Sequence, residues 1–178
     1  MASPDPSYLK APFPYFGGKR RAAELVWKAM GQVDHYIEPF CGSAAVLLGR
    51  PGGPGKVETI NDFDGMIANF WRCMAYKTEE LAQYADWPVS ELDIHARHLW
   101  LIAQRAQLTE KLIADPMYCD PKIAGWWCWG LCGWIGSGWC TASAQNSNPS
   151  SAAVVLTGDD QEDEEQAPGT EIQTGWTE

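Results

Sequence analysis

The sequence predicts an α/β fold: one strand–helix–strand unit, then a helical region, then an acidic tail. Three observations carry this. Short apolar runs at 35–37 and 57–60 each end on a polar turn, Glu38-Pro39 and Asn61-Asp62, and each leads into a stretch of helical spacing. Further along, three stretches (79–85, 91–114 and 120–135) have helical period and no strand alternation. From Thr141 the composition turns to Ser, Ala, Asn, Gln and acids. The expected organisation is therefore a ligand-binding α/β part at 1–77, a helical region at 78–140 and a flexible acidic tail at 141–178.

Each element has a local reason. Residues 1–12 read as an arm. A helix is expected over 19–30, with Ala22, Leu25, Val26, Ala29 and Met30 at helical spacing and Gly31 as its stop. After the first strand, Ser43 can cap a helix reaching Leu48, and Arg50-Pro51-Gly52-Gly53-Pro54-Gly55 is a turn. After the second, Asp64 can cap a helix from Met66 to about Ala75. Strand, helix, turn, strand, helix is one βαβ unit with parallel strands. Pro88 and Pro116 bracket the helix at 91–114, whose apolar face reads as Leu92, His95, Leu99, Ile102, Ala106 and Ile113. On that reading His95 is a core histidine and Arg97 a solvated cation. The last helix is glycine-spaced and rich in tryptophan: five of the ten tryptophans fall between Trp126 and Trp139, most simply as core.

Composition bounds the function classes. A chain of 178 residues, 46% hydrophobic, is long enough for one domain with a proper core. The net charge of −10 is concentrated in 141–178, which hold eight acids and no Lys or Arg; residues 1–140 carry 15 acids against 13 bases. The body thus argues neither for nor against nucleic acid, whereas the tail would repel it. The N-terminus is polar and proline-rich, with no apolar central region, and the longest apolar stretch, 123–135, falls short of the about twenty residues a bilayer span needs. A cytoplasmic protein with no membrane partner and six reduced cysteines is expected. The cysteines show no C-x-x-C pair, so no metal site is expected.

Three segments carry chemistry: Pro14-Tyr15-Phe16-Gly17-Gly18-Lys19, Ile37-Glu38-Pro39-Phe40-Cys41-Gly42-Ser43 and Ile60-Asn61-Asp62-Phe63-Asp64. An acid at a strand's carboxyl end, about twenty residues after a glycine-bearing loop, is suited to accept hydrogen bonds from two ribose hydroxyls. Asp62 stands there relative to Gly42, although Asn-Asp after a strand is also an ordinary turn. The loop 38–44 lacks G-x-G-x-x-G, the spacing that cradles a pyrophosphate, and its carboxylate Glu38 suits a cationic ligand better. Glu38-Pro39 is equally a strand-ending turn. In the first segment Gly17-Gly18 permits close backbone approach, an aromatic offers a face, and Lys19 can reach a carboxylate. Alone it is also a surface turn before a solvated Lys19-Arg20-Arg21 cluster.

In this order and spacing the three segments resemble the N-terminal region of Dam-like DNA adenine-N6 methyltransferases, over about 12–75. The segments 85–88, 95–98 and 134–140 look similar to a phage and bacterial branch of that family. The resemblance implies a partial Rossmann-like methyltransferase sheet, S-adenosylmethionine as cofactor and double-stranded DNA as partner, in the setting of restriction-modification. It also implies that Tyr15, Phe16, Gly17 and Lys19 contact the cofactor. Glu38, Pro39, Phe40 and Gly42 would line its pocket, and Asp62 with Phe63 would take its adenosine part. Ser43-Ala44 stands where many members carry a second loop glycine. Residues 78–140 would be the target-recognition region, with His95, Arg97, His98 and Arg105 as candidates for phosphate or base contact.

The family's catalytic Asp-Pro-Pro-Tyr occurs nowhere in the 178 residues. It is needed because the adenine amine is a poor nucleophile: an acid oxygen and a proline carbonyl accept its hydrogens while an aromatic stacks on the flipped base. Asp115-Pro116-Met117-Tyr118 is a near miss that follows a helical period and not a strand. The expected function is therefore the cofactor-binding and part-recognition portion of an adenine-N6 methyltransferase, truncated before its catalytic segment, without assigned catalytic residues and inactive alone. Two alternatives stand beside it. One is a non-catalytic cofactor-binding module, or half of a split enzyme completed by a second polypeptide. The other is a small helical interaction protein in which the motifs are coincidental.

Overall fold

The computed structural model describes residues 9–15, 17–136 and 138–140. The chain divides into two units, Met1–Gln145 and Asn146–Glu178, the second of which lies outside the described residues, as does the rest of the predicted tail and Phe16. The described part is helix-dominant with a small parallel sheet.

Two strands pair in parallel, β1 (His35–Glu38) and β2 (Val57–Ile60), in register His35 with Val57 through Glu38 with Ile60. Before them runs α1 (Ala23–Met30), entered through a 3-10 turn at Lys19–Arg21, so the regular helix starts four residues later than predicted. Gly31 ends it, at φ +65°. Between the strands stands the short α2 (Ala45–Leu48). Its N-cap is Ala44, without a side-chain bond, so the cap expected of Ser43 is not made. Trp27 of α1 packs with Tyr36 and Val46 in a small core on one face of the sheet, and its indole donates to the Val46 carbonyl at 2.6 Å. The opposite face is open, with Ile37 68% exposed.

The helices that follow are α3 (Gly65–Tyr76), α4 (Thr78–Ala85), α5 (Glu91–Ala114) and α6 (Pro121–Gly133). Side-chain caps begin three of them: Asp64 accepts from Met66 N–H, Ser90 from Asp93 N–H, and Asp120 from Ile123 N–H, with Pro121 at the start of α6. α6 ends at Gly133, two residues short of the predicted Ile135.

One apolar core joins both sides of residue 77. Met66, Ile67, Phe70 and Cys73 of α3 meet Leu101 and Leu108 of α5 and Ile123 and Trp127 of α6. Phe13 enters it edge-on to Phe70 and Trp127, at centroid distances of 4.9 and 5.0 Å. Asn69, fully buried, bonds both backbone groups of Asp120, donating to its carbonyl at 2.9 Å and accepting its N–H at 2.8 Å.

The predicted face of α5 is the wrong one. Leu92, Leu99 and Ile113 are exposed, and the buried stripe is Arg97, His98, Leu101, Leu108 and Leu112. His98, not His95, is the core histidine: its ring stacks on Trp134 at 4.8 Å and leans on Trp139 at 5.2 Å. Arg97 is likewise not solvated. Its guanidinium lies 4.2, 4.8 and 5.4 Å from the ring centres of Trp129, Trp126 and Trp87, a desolvated cation held by aromatic faces. The tryptophan-rich α6 is core, as expected, and the six cysteines are free thiols. Among the described residues no helix is long and apolar enough to cross a membrane.

Candidate functional site

Parallel pairing brings the carboxyl ends of β1 and β2 side by side, and the loops that leave them are laced together. Asn61 N–H donates to the Glu38 carbonyl at 2.9 Å, Cys41 N–H to the Asn61 carbonyl at 2.9 Å, and the Asn61 amide to the Pro39 carbonyl at 3.0 Å. Asp62 then closes the crossing: one carboxylate oxygen accepts Gly42 N–H at 2.9 Å and the other accepts Asp64 N–H at 3.1 Å. Gly42 has φ +51°, and a Cβ there would stand 2.7 Å from Tyr15 Cδ1. The Tyr15 ring therefore lies directly on the loop, in space only glycine leaves open. Ala44 takes the same left-handed backbone at φ +50° without being glycine.

The result is a cleft of about 430 Å³ at the strand ends. Of the residues singled out in the sequence, Tyr15, Gly17, Lys19, Phe40, Gly42 and Asp62 line it. Glu38 does not; it is 3% exposed and lies against Lys19. Lys19 Nζ stands 2.6 Å from Glu38 Oε1, an ion pair between a half-exposed ammonium and a buried carboxylate. The same ammonium donates to the Phe40 carbonyl at 2.6 Å, and Tyr36 O–H donates to the other Glu38 oxygen at 3.0 Å. Pro39 takes part only through its carbonyl, and Phe63, 99% exposed, stands out from the loop without lining the cleft.

Sequence reasoning passed over several residues here. Cys41 and Ser43 line the cleft from inside a motif already recognised. A second cleft, about 330 Å³, shares Cys41 and Asp62 with the first and adds Ile60, Ile67, Trp71 and Arg72. Trp71 donates its indole N–H to the Gly42 carbonyl at 3.0 Å, and the four-residue step from Ile67 to Trp71 was the available signal. Arg72 donates to three carbonyls, those of Leu112, Asp115 and Tyr118.

Burial and nearby carboxylates hold the thiol and the phenol at the cleft in their neutral forms. Burial, then the Asp62 and Glu38 charges, push the Cys41 thiol up to about 11, so it stays protonated at neutral pH. Burial and the carboxylates of Asp62 and Asp64 likewise raise the Tyr15 phenol. No cluster of potential metal ligands occurs among the described residues.

The helical candidates are arranged differently from expectation. Arg97 and His98 are buried, and Arg105 is bonded to Asp64 and to the Cys140 carbonyl. Asp115-Pro116-Met117-Tyr118 is a turn at the end of α5: Met117 N–H donates to the Asp115 carboxylate at 2.8 Å and Tyr118 N–H to the Asp115 carbonyl at 3.1 Å. It is not at a strand end, the position the reaction would require.

No curated protein and no solved structure matches the chain to a significant degree. One family model does, over residues 15–93, which take in the cleft, both strands and the start of α5. The resemblance read from the three motifs is thus borne out: over residues 15–93 the chain matches the D12 class N6 adenine-specific DNA methyltransferase family.

Proposed function

We propose that the strand-end cleft binds S-adenosylmethionine and that the chain serves adenine-N6 methylation of double-stranded DNA. The observation that supports this best is that six residues from three separate motifs line one cleft, within the stretch that the family model matches.

The residues present fit the group. An ionised carboxylate has about four acceptor positions, and backbone amides occupy one on each oxygen of Asp62, leaving room for ribose hydroxyls. Lys19 has three N–H bonds and faces the cleft while touching Glu38 and the Phe40 carbonyl, so a ligand carboxylate can share its charge. Tyr15 and Phe40 offer aromatic faces, and Phe63 is free to cover an adenine ring. When bound, S-adenosylmethionine supplies an electrophilic methyl group; these side chains hold it and neither donate nor remove a proton at the acceptor amine.

That last step needs an acid-Pro-Pro-aromatic segment, absent from the 178 residues. On this reading the chain alone binds cofactor and transfers no methyl group. A second polypeptide bringing that segment would find an uncovered surface on the sheet. Parallel sheets are ordinarily covered on both faces, yet Ile37 stands exposed on the face away from α1. Within this frame residues 78–140 serve target recognition, and the host compartment is the cytoplasm.

Titration calorimetry with S-adenosylmethionine tests the proposal: binding by the wild type, lost in Asp62→Ala and weakened in Lys19→Ala, is expected. No heat of binding would overturn the cofactor reading. Transfer of labelled methyl to DNA by the purified chain would overturn the claim that it is inactive alone.

A further inference from the structure

Arg105, in the middle of α5, reaches toward the strand-end loops. Its Nη2 stands 2.8 Å from Asp64 Oδ1, and its Nη1 donates to the Cys140 carbonyl. Asp64 Oδ1 is also the cap of α3, accepting Met66 N–H at 2.9 Å. The Asp64 backbone N–H in turn donates to Asp62, whose other oxygen holds Gly42 N–H. A continuous polar path thus runs from Cys140 through Arg105, Asp64 and Asp62 to Gly42. A second contact runs parallel to it: a Cβ on Gly65 would stand 2.9 Å from Thr109 Oγ1, so α5 closes tightly on the start of α3.

The residue type suits the task. A guanidinium is a planar fork that can bond two acceptors in different directions at fixed geometry, whereas an ammonium on a flexible stem presents its donors without that fixed spacing. Its charge is felt in the cleft, where it opposes the upward push that Asp62 and Asp64 exert on the Tyr15 phenol.

We propose that Arg105 is a positioning residue that fixes the Asp62 carboxylate and the Gly42 loop through Asp64, so that the helical layer sets ligand affinity at the strand ends. The consequence for affinity rests on the cofactor reading above; the positioning itself does not. The sequence-based assignment of Arg105 to a phosphate or base is replaced by this role, since two of its nitrogens are engaged within the fold.

The test uses Arg105→Met, Arg105→Lys, Asp64→Asn and the Arg105→Met/Asp64→Asn double variant of the full chain. Asparagine still caps α3, so Asp64→Asn breaks the ion pair even where Arg105→Met fails to fold. In ligand-free protein, hydrogen exchange at the Gly42 and Asp64 amides should rise about tenfold in Arg105→Met and less in Arg105→Lys. S-adenosylmethionine affinity should fall about tenfold in Arg105→Met, with partial recovery in Arg105→Lys. The double variant should be no worse than the more severe single one. Unchanged exchange at both amides in Asp64→Asn and in any folded Arg105 variant, or fully additive losses, would overturn the proposal. If the wild type binds no S-adenosylmethionine, the cofactor reading falls, and amide exchange alone decides the role of Arg105.

Discussion

Gly42→Ala is the perturbation that probes the loop most directly. Two costs can be worked from the geometry. The backbone sits at φ +51°, and left-handed backbone costs an L-residue about 1–2 kcal/mol. The new methyl would also stand 2.7 and 2.9 Å from Tyr15 Cδ1 and Cε1, and such overpacking ordinarily costs about 1–3 kcal/mol. Together they predict a loss of about 2–5 kcal/mol, which at a slope of about 2 kcal/mol per molar urea lowers the unfolding midpoint by about 1–2.5 M. A double-mutant cycle separates the costs. In a Tyr15→Ala background the ring is gone, and only the backbone cost of about 1–2 kcal/mol should remain. Equal losses in both backgrounds would refute the claim that Tyr15 lies on this glycine. Ala44→Gly is the converse: relief of the left-handed backbone at φ +50°, worth about 1–2 kcal/mol, is offset by the lost buried methyl, about 0.8 kcal/mol, and by glycine's chain entropy, about 0.5–1 kcal/mol. Stability should therefore change by less than about 1 kcal/mol, and a loss beyond about 2 kcal/mol would contradict the assigned backbone.

Further outcomes follow from the helical core. Asn69→Leu leaves the N–H of Asp120 unpaired, while its carbonyl keeps the Ala124 N–H at 3.0 Å, so at about 1–3 kcal/mol for one buried group a loss of about 1–3 kcal/mol is expected in chemical denaturation. Arg97→Ala removes the cation between three tryptophan faces and should cost about 2 kcal/mol or more by thermal denaturation, with Arg97→Lys only partly restoring it. Burial holds His98 below its usual range, and its Nδ1 accepts Cys140 N–H at 3.4 Å, so the folded state favours neutral imidazole. The unfolded chain, at about 6.5, takes up the proton first. Stability should therefore be full above about pH 6.5 and decline as pH falls toward the lowered folded value, and His98→Asn should flatten that slope in urea titrations between pH 7 and 5.

What the sequence made legible was local. Asp64 as a cap, Gly31 as a stop and the two strands depend on neighbours a few residues away, and all were found. The face of α5 was not legible, because the helix carries two stripes that could be buried. Leu92, Leu99 and Ile113 form the more apolar-looking one, whereas the stripe through Leu101, Leu108 and Leu112 includes Arg97, His98 and Arg105. Burying it becomes favourable only because Trp87, Trp126 and Trp129 surround Arg97, and Trp134 with Trp139 encloses His98. Those rings come from outside the helix, and no period within α5 announces them. The cleft shows the same division. Its motifs named most of its lining, but not that Lys19 and Glu38 lie against each other, nor that Asp62 ties two loops while facing the cleft.

The central claim, that these strand ends hold S-adenosylmethionine, is tested most directly by ultraviolet cross-linking of the methyl-labelled cofactor followed by peptide mapping. Label on the peptides carrying Tyr15 or Phe40, competed away by unlabelled cofactor and lost in Asp62→Ala, is the predicted result. Competed label confined to the tryptophan-rich segment around Trp126 to Trp139, or no competed label at all, would contradict it.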